Sequence, residues 1–239
     1  MIVGPPGCSK TLSFTIAIKN MHGHQSKKDF YKALAYAEPQ RYQCSKDSAD
    51  TEIEAVYKNA RELQQGFDAY ATTTADNSSD GSNGGERQRC VVLLDEAGLP
   101  DERTAPLKIL HYVLDHPKVS SIILSNCILD AAKTNRVILL NQSQPDEADL
   151  ISLGHTCIYG NGAAEAAAAE GLDTKVARAL ARAYMTVIEE QDRPGNALAP
   201  VKSYFHLRDF VYFLRYLGRE VKAGRNPLDA DVLVRALMR

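Results

Sequence analysis

A parallel β-sheet sandwiched by α-helices, followed by a small all-helical domain, is the fold class that three observations predict. First, Cys90–Leu94, Ser121–Leu124 and Val137–Leu140 are continuous apolar, β-rich runs separated by segments of helical spacing. That is the pattern of parallel strands buried on both faces. Second, Met1–Val3 reads as the end of a strand that enters a Gly/Pro turn and then a helix over Thr11–Met21. Third, from about Gln144 β-rich runs of that kind stop and helical stripes take over.

The remaining elements follow in order. Arg41–Ser45 reads as a short strand. Asp50–Ala69 carries Ile53, Val56, Tyr57, Ala60 and Leu63 at helical spacing. Residues 71–87 hold Thr, Ser, Asn, Asp and Gly and almost nothing that packs, so they read as a disordered insertion. Leu107–Leu114 reads as a helix. In the last third, Ala163–Ala169 is an alanine tract between glycines, and Thr174–Glu190 and Leu207–Val221 are apolar-striped helices. Pro227–Met238 reads as a final helix with Asn226 as N-cap and Pro227 at the first position. The division expected is 1–150 for the α/β core and 151–239 for the helical domain.

Composition excludes several classes. The 239 residues are 44% hydrophobic, enough for a sizeable core, and the formal net charge of −2 provides no global positive field for nucleic acid or an anionic membrane. The 5 cysteines stand singly, with no CxxC pair to start a zinc ribbon, and suit a reducing, cytoplasmic setting. No apolar run approaches the roughly 20 residues needed to span a bilayer. No leader peptide is expected ahead of the first turn. With Met1–Val3 short for a buried strand and the last helix ending the chain, both ends look cut from something longer.

The chemistry begins at Gly4-Pro5-Pro6-Gly7-Cys8-Ser9-Lys10-Thr11. A turn of this kind wraps backbone N–H groups around phosphates, and the helix N-terminus behind it adds partial positive charge. Lys10 is expected to reach the β- and γ-phosphates of ATP, and the Thr11 hydroxyl to ligate Mg²⁺. Ser9 stands where glycine usually precedes the lysine. If that position needs φ > 0, serine costs about 1 kcal/mol.

Val91–Leu94 then delivers Asp95 and Glu96 at the C-terminal edge of a strand, where parallel sheets hold ligands. Asp95 is expected to hold Mg²⁺ and Glu96 to act as general base on the attacking water. The plainer alternative, a strand ending in a solvated acidic turn, loses weight beside a phosphate loop. The Asp-Glu pair points to additional-strand ATPases, and here the chain resembles the AAA+ family. Ser121–Asn126 resembles the sensor-1 strand, which lies between the two strands carrying the loop and the acids. Asn126 would then orient the water. Leu129–Arg136 resembles the arginine-finger segment, with Arg136 reaching a neighbouring module's site; a surface arginine capping a helix is the alternative. Leu207–Phe210 opens an apolar helix in which Arg208 resembles sensor 2. Arg215 and Arg219 are rivals, and a salt bridge to Asp209 is an equal alternative.

Four segments, YQCSKDS (42–48), residues 93–115, residues 123–136 and SYFHLRDFVYFLR (203–215), resemble the AAA+ core of mysterin-type giant ring-finger ubiquitin ligases. They cover about half of the chain. The resemblance implies ATP and Mg²⁺ as cofactors and an ATPase coupled to motion of the helical lid, with nucleotide held in the cleft beneath it. It implies neighbouring AAA+ modules as partners and tolerance of serine before the loop lysine. Ubiquitin transfer would belong to other parts of such a ligase. The alternatives are a non-hydrolysing ATP-binding element of a multi-module ring and a DNA-remodelling AAA+ ATPase. The second lacks a basic stripe or helix-turn-helix signature. His22 and His24, in a polar loop with no further ligands, read as solvated.

Overall fold

The computed structural model describes residues 1–77, 87–100, 106–160, 172–191, 193 and 205–238. They divide into two compact units. The first holds Met1–Pro5 and Ser9–Gln142; the second holds Pro6–Cys8 and Ser143–Arg239.

The centre of the first unit is β3 (Gln88–Asp95), in which Val91–Leu94 are all buried. Alternate residues serve opposite faces, as a strand's period of two requires. Val92 and Leu94 join a core with Ile53 and Tyr57 of α3 (Asp50–Asn77) and Leu110 of α4 (Ile109–Asp115). Val91 and Leu93 pack with Phe14 and Ile18 of α1 (Lys10–Asn20). Full burial of such a side chain contributes about 1.5–3 kcal/mol, against about 1 kcal/mol net for a hydrogen bond. The apolar run, rather than its ladder, therefore selects this strand for the middle. Gln64 of α3 adds two polar ties to β3: its Oε1 accepts from the Cys90 N–H at 2.8 Å and its Nε2 donates to Gln88 O at 3.3 Å.

Five strands form one parallel sheet in the order β2-β3-β4-β1-β5, with β1 at Ile2–Val3, β2 at Tyr36–Gln43, β4 at Ser120–Ser125 and β5 at Leu140–Asn141. β4 lies between β1 and β3, the position expected for the strand that delivers Asn126. The short helices α2 (Asp29–Lys32) and α5 (Ala131–Thr134) lie in connections.

Several boundaries differ from the sequence reading. β2 starts at Tyr36, not Arg41, and contains Pro39; a proline is tolerated there because β2 is an edge strand. The helix expected to end at Ala69 continues to Asn77, so the first seven residues of the expected insertion are helical. Between Gly66, which the helix passes through, and Gly81 there is no glycine or proline, and Ala, Thr and Asp cost a helix only tenths of a kcal/mol. Residues 78–86 and the tract Ala163–Ala169 lie outside the described residues. Of the expected strand Val137–Leu140 only Leu140 pairs, joined by Asn141, and Ile138 is exposed. β1 offers only Ile2 and Val3 to pair with, through Leu140 N–H to Met1 O and Gln142 N–H to Val3 O.

The second unit is helical among its described residues: α6 (Glu147–Tyr159), α7 (Leu172–Gln191), α8 (Leu207–Lys222) and α9 (Ala230–Leu237). Leu150, Ile158, Leu180, Phe210, Leu214 and Leu217 form its core. α6 starts at a reciprocal cap between Asp146 and Asp149. The expected boundary at 150/151 would cut this helix; the division falls at Gln142/Ser143, ahead of the cap. Asn226 does not cap α9. Its side chain accepts from Leu228 N–H and its carbonyl from Asp229 N–H, a turn with Pro227 at its second position. Asp229 is the N-cap, accepting from Asp231 N–H at 2.9 Å.

Candidate nucleotide site

β1 ends directly in the Gly4–Thr11 loop, and α1 opens at Lys10. Gly7 and Ser9 both adopt positive φ, 85° and 60°. Ser9 thus occupies the left-handed region that its place in the loop demands, at a cost of about 1–2 kcal/mol. It stands at the N-cap of α1 without a side-chain cap, and the first turn carries no acidic residue. A helix start with neither a serine cap nor an acidic first turn suits an incoming phosphate.

Lys10 is buried, and its ammonium donates to Gly4 O at 2.7 Å, Pro5 O at 2.9 Å and Asn126 Oδ1 at 2.8 Å. An ammonium group only donates, so the amide oxygen of Asn126 must face it. Thr11 Oγ1 donates to Asp95 Oδ2 at 2.9 Å, and the other Asp95 oxygen accepts from Glu96 N–H at 2.9 Å. A hydroxyl and a carboxylate at that separation fit one hard divalent cation, which Mg²⁺ sites typically hold with one or two carboxylates, waters and phosphate oxygens. Glu96 has φ 54°, a second strained non-glycine position. Side-chain hydrogen bonds thus join Lys10 to Asn126 and Thr11 to Asp95, two pairs that share the Lys10-Thr11 step of the chain, and Glu96 follows Asp95.

Cys44 and Asp115 escaped the sequence reading. Cys44 follows β2, donates its N–H to Asp95 O at 2.8 Å, and is fully buried. Burial, with the charges of Asp95 and Glu96 adding, pushes its thiol up to about 12. A lone cysteine carries no sequence signal of its neighbours. Asp115 accepts from Arg136 Nε at 2.7 Å, and Arg136 also donates to Ala132 O. That bond holds the Asp115 carboxyl below the usual range. Arg136 is thus engaged within its own unit, away from the Lys10–Asp95 cluster it was expected to complete only in a neighbour.

In the second unit, the loop tip Pro6–Cys8 groups with the helices. A Cβ on Gly7 would stand 3.1 Å from Arg208 N and 3.5 Å from Leu207 Cβ. The rivals Arg215 and Arg219 lie about two and three turns further along α8. Arg215 acts on the Cys157 thiol, and Arg219 stacks over Tyr216 at 5.6 Å.

Solved structures of PCH-2 from C. elegans (TM-score 0.40, 14% identity, 92% of this chain and 60% of that one) and Cdc6p from Pyrobaculum aerophilum (TM-score 0.47, 14% identity, 94% and 56%) resemble this chain. A Dictyostelium discoideum protein named as an uncharacterized transmembrane protein is 36% identical over 95% of this chain and 4% of its own length. No helix among the described residues is long and apolar enough to cross a membrane. The E3 ubiquitin-protein ligase RNF213 is 29% identical in Homo sapiens over 97% of this chain, and 28% identical in Mus musculus over 100% of it. The chain spans about 4% of the length of each of these relatives. The family described as the RNF213 AAA domain matches residues 1–149, more than half of the sequence, and the chain belongs to that family.

Proposed function

We propose that this chain is an AAA+ module that binds ATP with Mg²⁺ and hydrolyses it, within a larger ubiquitin ligase of the RNF213 kind. The observation that carries this is the Lys10–Asn126 bond, 2.8 Å between residues 116 apart in sequence. It puts the loop's phosphate-binding cation beside a polar side chain from an adjacent strand tip, next to the Asp95-Glu96 edge.

The residues divide the work. Lys10 exchanges its carbonyl acceptors for phosphate oxygens, and the N–H groups of the loop and of α1's first turn take the rest. Thr11 and Asp95 hold Mg²⁺, which when bound neutralises phosphate charge. Glu96 accepts the proton of the attacking water, and Asn126 fixes that water's direction by hydrogen bonding. Arg208, next to Gly7 at the loop tip, serves as sensor 2. Arg136 leaves Asp115 to serve a neighbouring module, where a guanidinium in trans accelerates phosphoryl transfer about 10³–10⁵-fold. Cytoplasmic placement, association with further modules and a link to ubiquitin machinery belong to the same reading, supported by the family match.

Phosphate release by the full chain, alone and with neighbouring modules, tests this. Glu96→Gln is expected to lower turnover by about 10²–10⁴-fold while nucleotide still binds. Lys10→Ala is expected to lose nucleotide affinity. Unchanged turnover in the first or unchanged affinity in the second would sink the respective assignment. Tight binding with no wild-type turnover, even in the assembled protein, selects the non-hydrolysing alternative.

A further inference from the structure

Ser125 and Gly98 are not assigned by the motifs above, yet they join the two turns that carry Glu96 and Asn126. Ser125 ends β4 and is 1% exposed. Its hydroxyl donates to Cys127 O at 2.5 Å and accepts from Cys127 N–H at 3.2 Å. One buried oxygen therefore closes the tight turn around Asn126 from both ends. The Ser125 carbonyl accepts from Gly4 N–H at 3.3 Å, so the same residue also holds the first glycine of the phosphate loop.

The acidic turn folds onto this residue. Ala97 N–H donates to Leu124 O at 2.9 Å, and Leu99 N–H to Glu96 O at 3.0 Å. Gly98 then lies against the Ser125 turn: a Cβ there would stand 2.7 Å from Ser125 Oγ and 2.6 Å from Cys127 Sγ. Gly98 is absent from the residues with positive φ, so space, not backbone freedom, is what demands a glycine. The Ser125 hydroxyl is used up by its own turn, and it is also the surface on which the Glu96 turn rests.

We infer that Ser125 and Gly98 are positioning residues that set the separation of Glu96 and Asn126, and so act on hydrolysis and not on nucleotide binding. This rests on the hydrolytic reading of the site. Ser125→Ala removes both bonds that shape the Asn126 turn. Gly98→Ala crowds the Ser125 hydroxyl and the Cys127 thiol, and so disturbs the bonds of the same turn from the opposite side. A displacement of the order of 1 Å in a catalytic group can cost about 10²-fold in rate.

The test is steady-state ATP turnover of the full chain, in the assembly in which the wild type is active, together with the Kd for a fluorescent ATP analogue. Both variants are expected to lose roughly 10- to 100-fold in kcat with Kd held within about twofold. Thermal melting separates positioning from unfolding, because a folded fraction that falls would lower binding capacity and kcat together. Parallel losses of binding and turnover, or unchanged kcat in both variants, overturn the assignment. Glu96→Gln distinguishes the two levels. If it blocks turnover while Ser125→Ala and Gly98→Ala do not, only the positioning claim fails. If it leaves turnover intact, the hydrolytic reading itself fails.

Discussion

The two units use glycine and strain for different ends. In the α/β unit the unusual non-glycine backbone gathers at the candidate site: Ser9 and Glu96 sit at positive φ beside Lys10 and Asp95. In the helical unit the tight places are packing contacts. Gly218 of α8 meets α6 so closely that a Cβ would stand 2.4 Å from Cys157 O, and Gly154 faces Ala177 at an ordinary 3.5 Å. Strained non-glycine backbone thus marks the candidate site, whereas close backbone approach marks the helix packing.

The sharpest way to break that contrast is at Gly218. Gly218→Ala must push α8 off the α6 backbone and is expected to cost about 1–3 kcal/mol, measured by denaturant unfolding. Gly154→Ala has room for its methyl and gains helix propensity, so it is expected to cost nothing or to stabilise by a few tenths of a kcal/mol. Equal losses in the two would show that the close approach is not what Gly218 serves.

A smaller effect is expected at Ser9. Ser9→Gly relieves the left-handed conformation and is expected to stabilise the folded loop by about 1 kcal/mol, less what glycine returns to the unfolded chain. Urea midpoints with and without nucleotide check this. A loss of stability would mean that the strain is already offset by contacts of the Ser9 side chain.

The smallest effect concerns Arg136. Its hydrogen bond depresses the Asp115 carboxyl, so the folded state binds that proton less readily than the unfolded chain. The contribution is complete above the ordinary carboxylate range and is lost as pH falls through the lowered folded value. Carbon-detected titration of Asp115 is expected to show a midpoint below an ordinary aspartate, returning to it in Arg136→Ala. The same variant is expected to reduce turnover only where a neighbouring module is present. An Asp115 midpoint indifferent to Arg136 would refute the pairing.

Legibility in the sequence followed the physics of each element. Cys90–Leu94 was readable because a strand buried on both faces has no room for polar residues, and β3 extends it only at the ends. The strand expected over Val137–Leu140 pairs only at Leu140, because Val137–Leu139 are apolar without lying in a ladder and apolar composition alone does not say which residues pair. The sequence pattern starts α9 at Pro227, ahead of Ala230, because Asn226-Pro227 is both a good cap and a good turn. Only the rest of the chain decides between them. α6 was missed as an element although Asp146 and Asp149 mark its start.

The sequence by itself determined the loop, the acidic strand end, the order of the motifs and the change from sheet to helices. These depend on residues close in the chain: spacing, backbone freedom and apolar periodicity. Only the tertiary structure decided that Lys10 meets Asn126, that Arg136 is held by Asp115, that Cys44 lies behind Asp95, and that Ser125 and Gly98 press the two turns together. Those contacts join segments whose sequence separation carries no period. The strand order of the sheet, which places β4 between β1 and β3, is what brings most of them within reach.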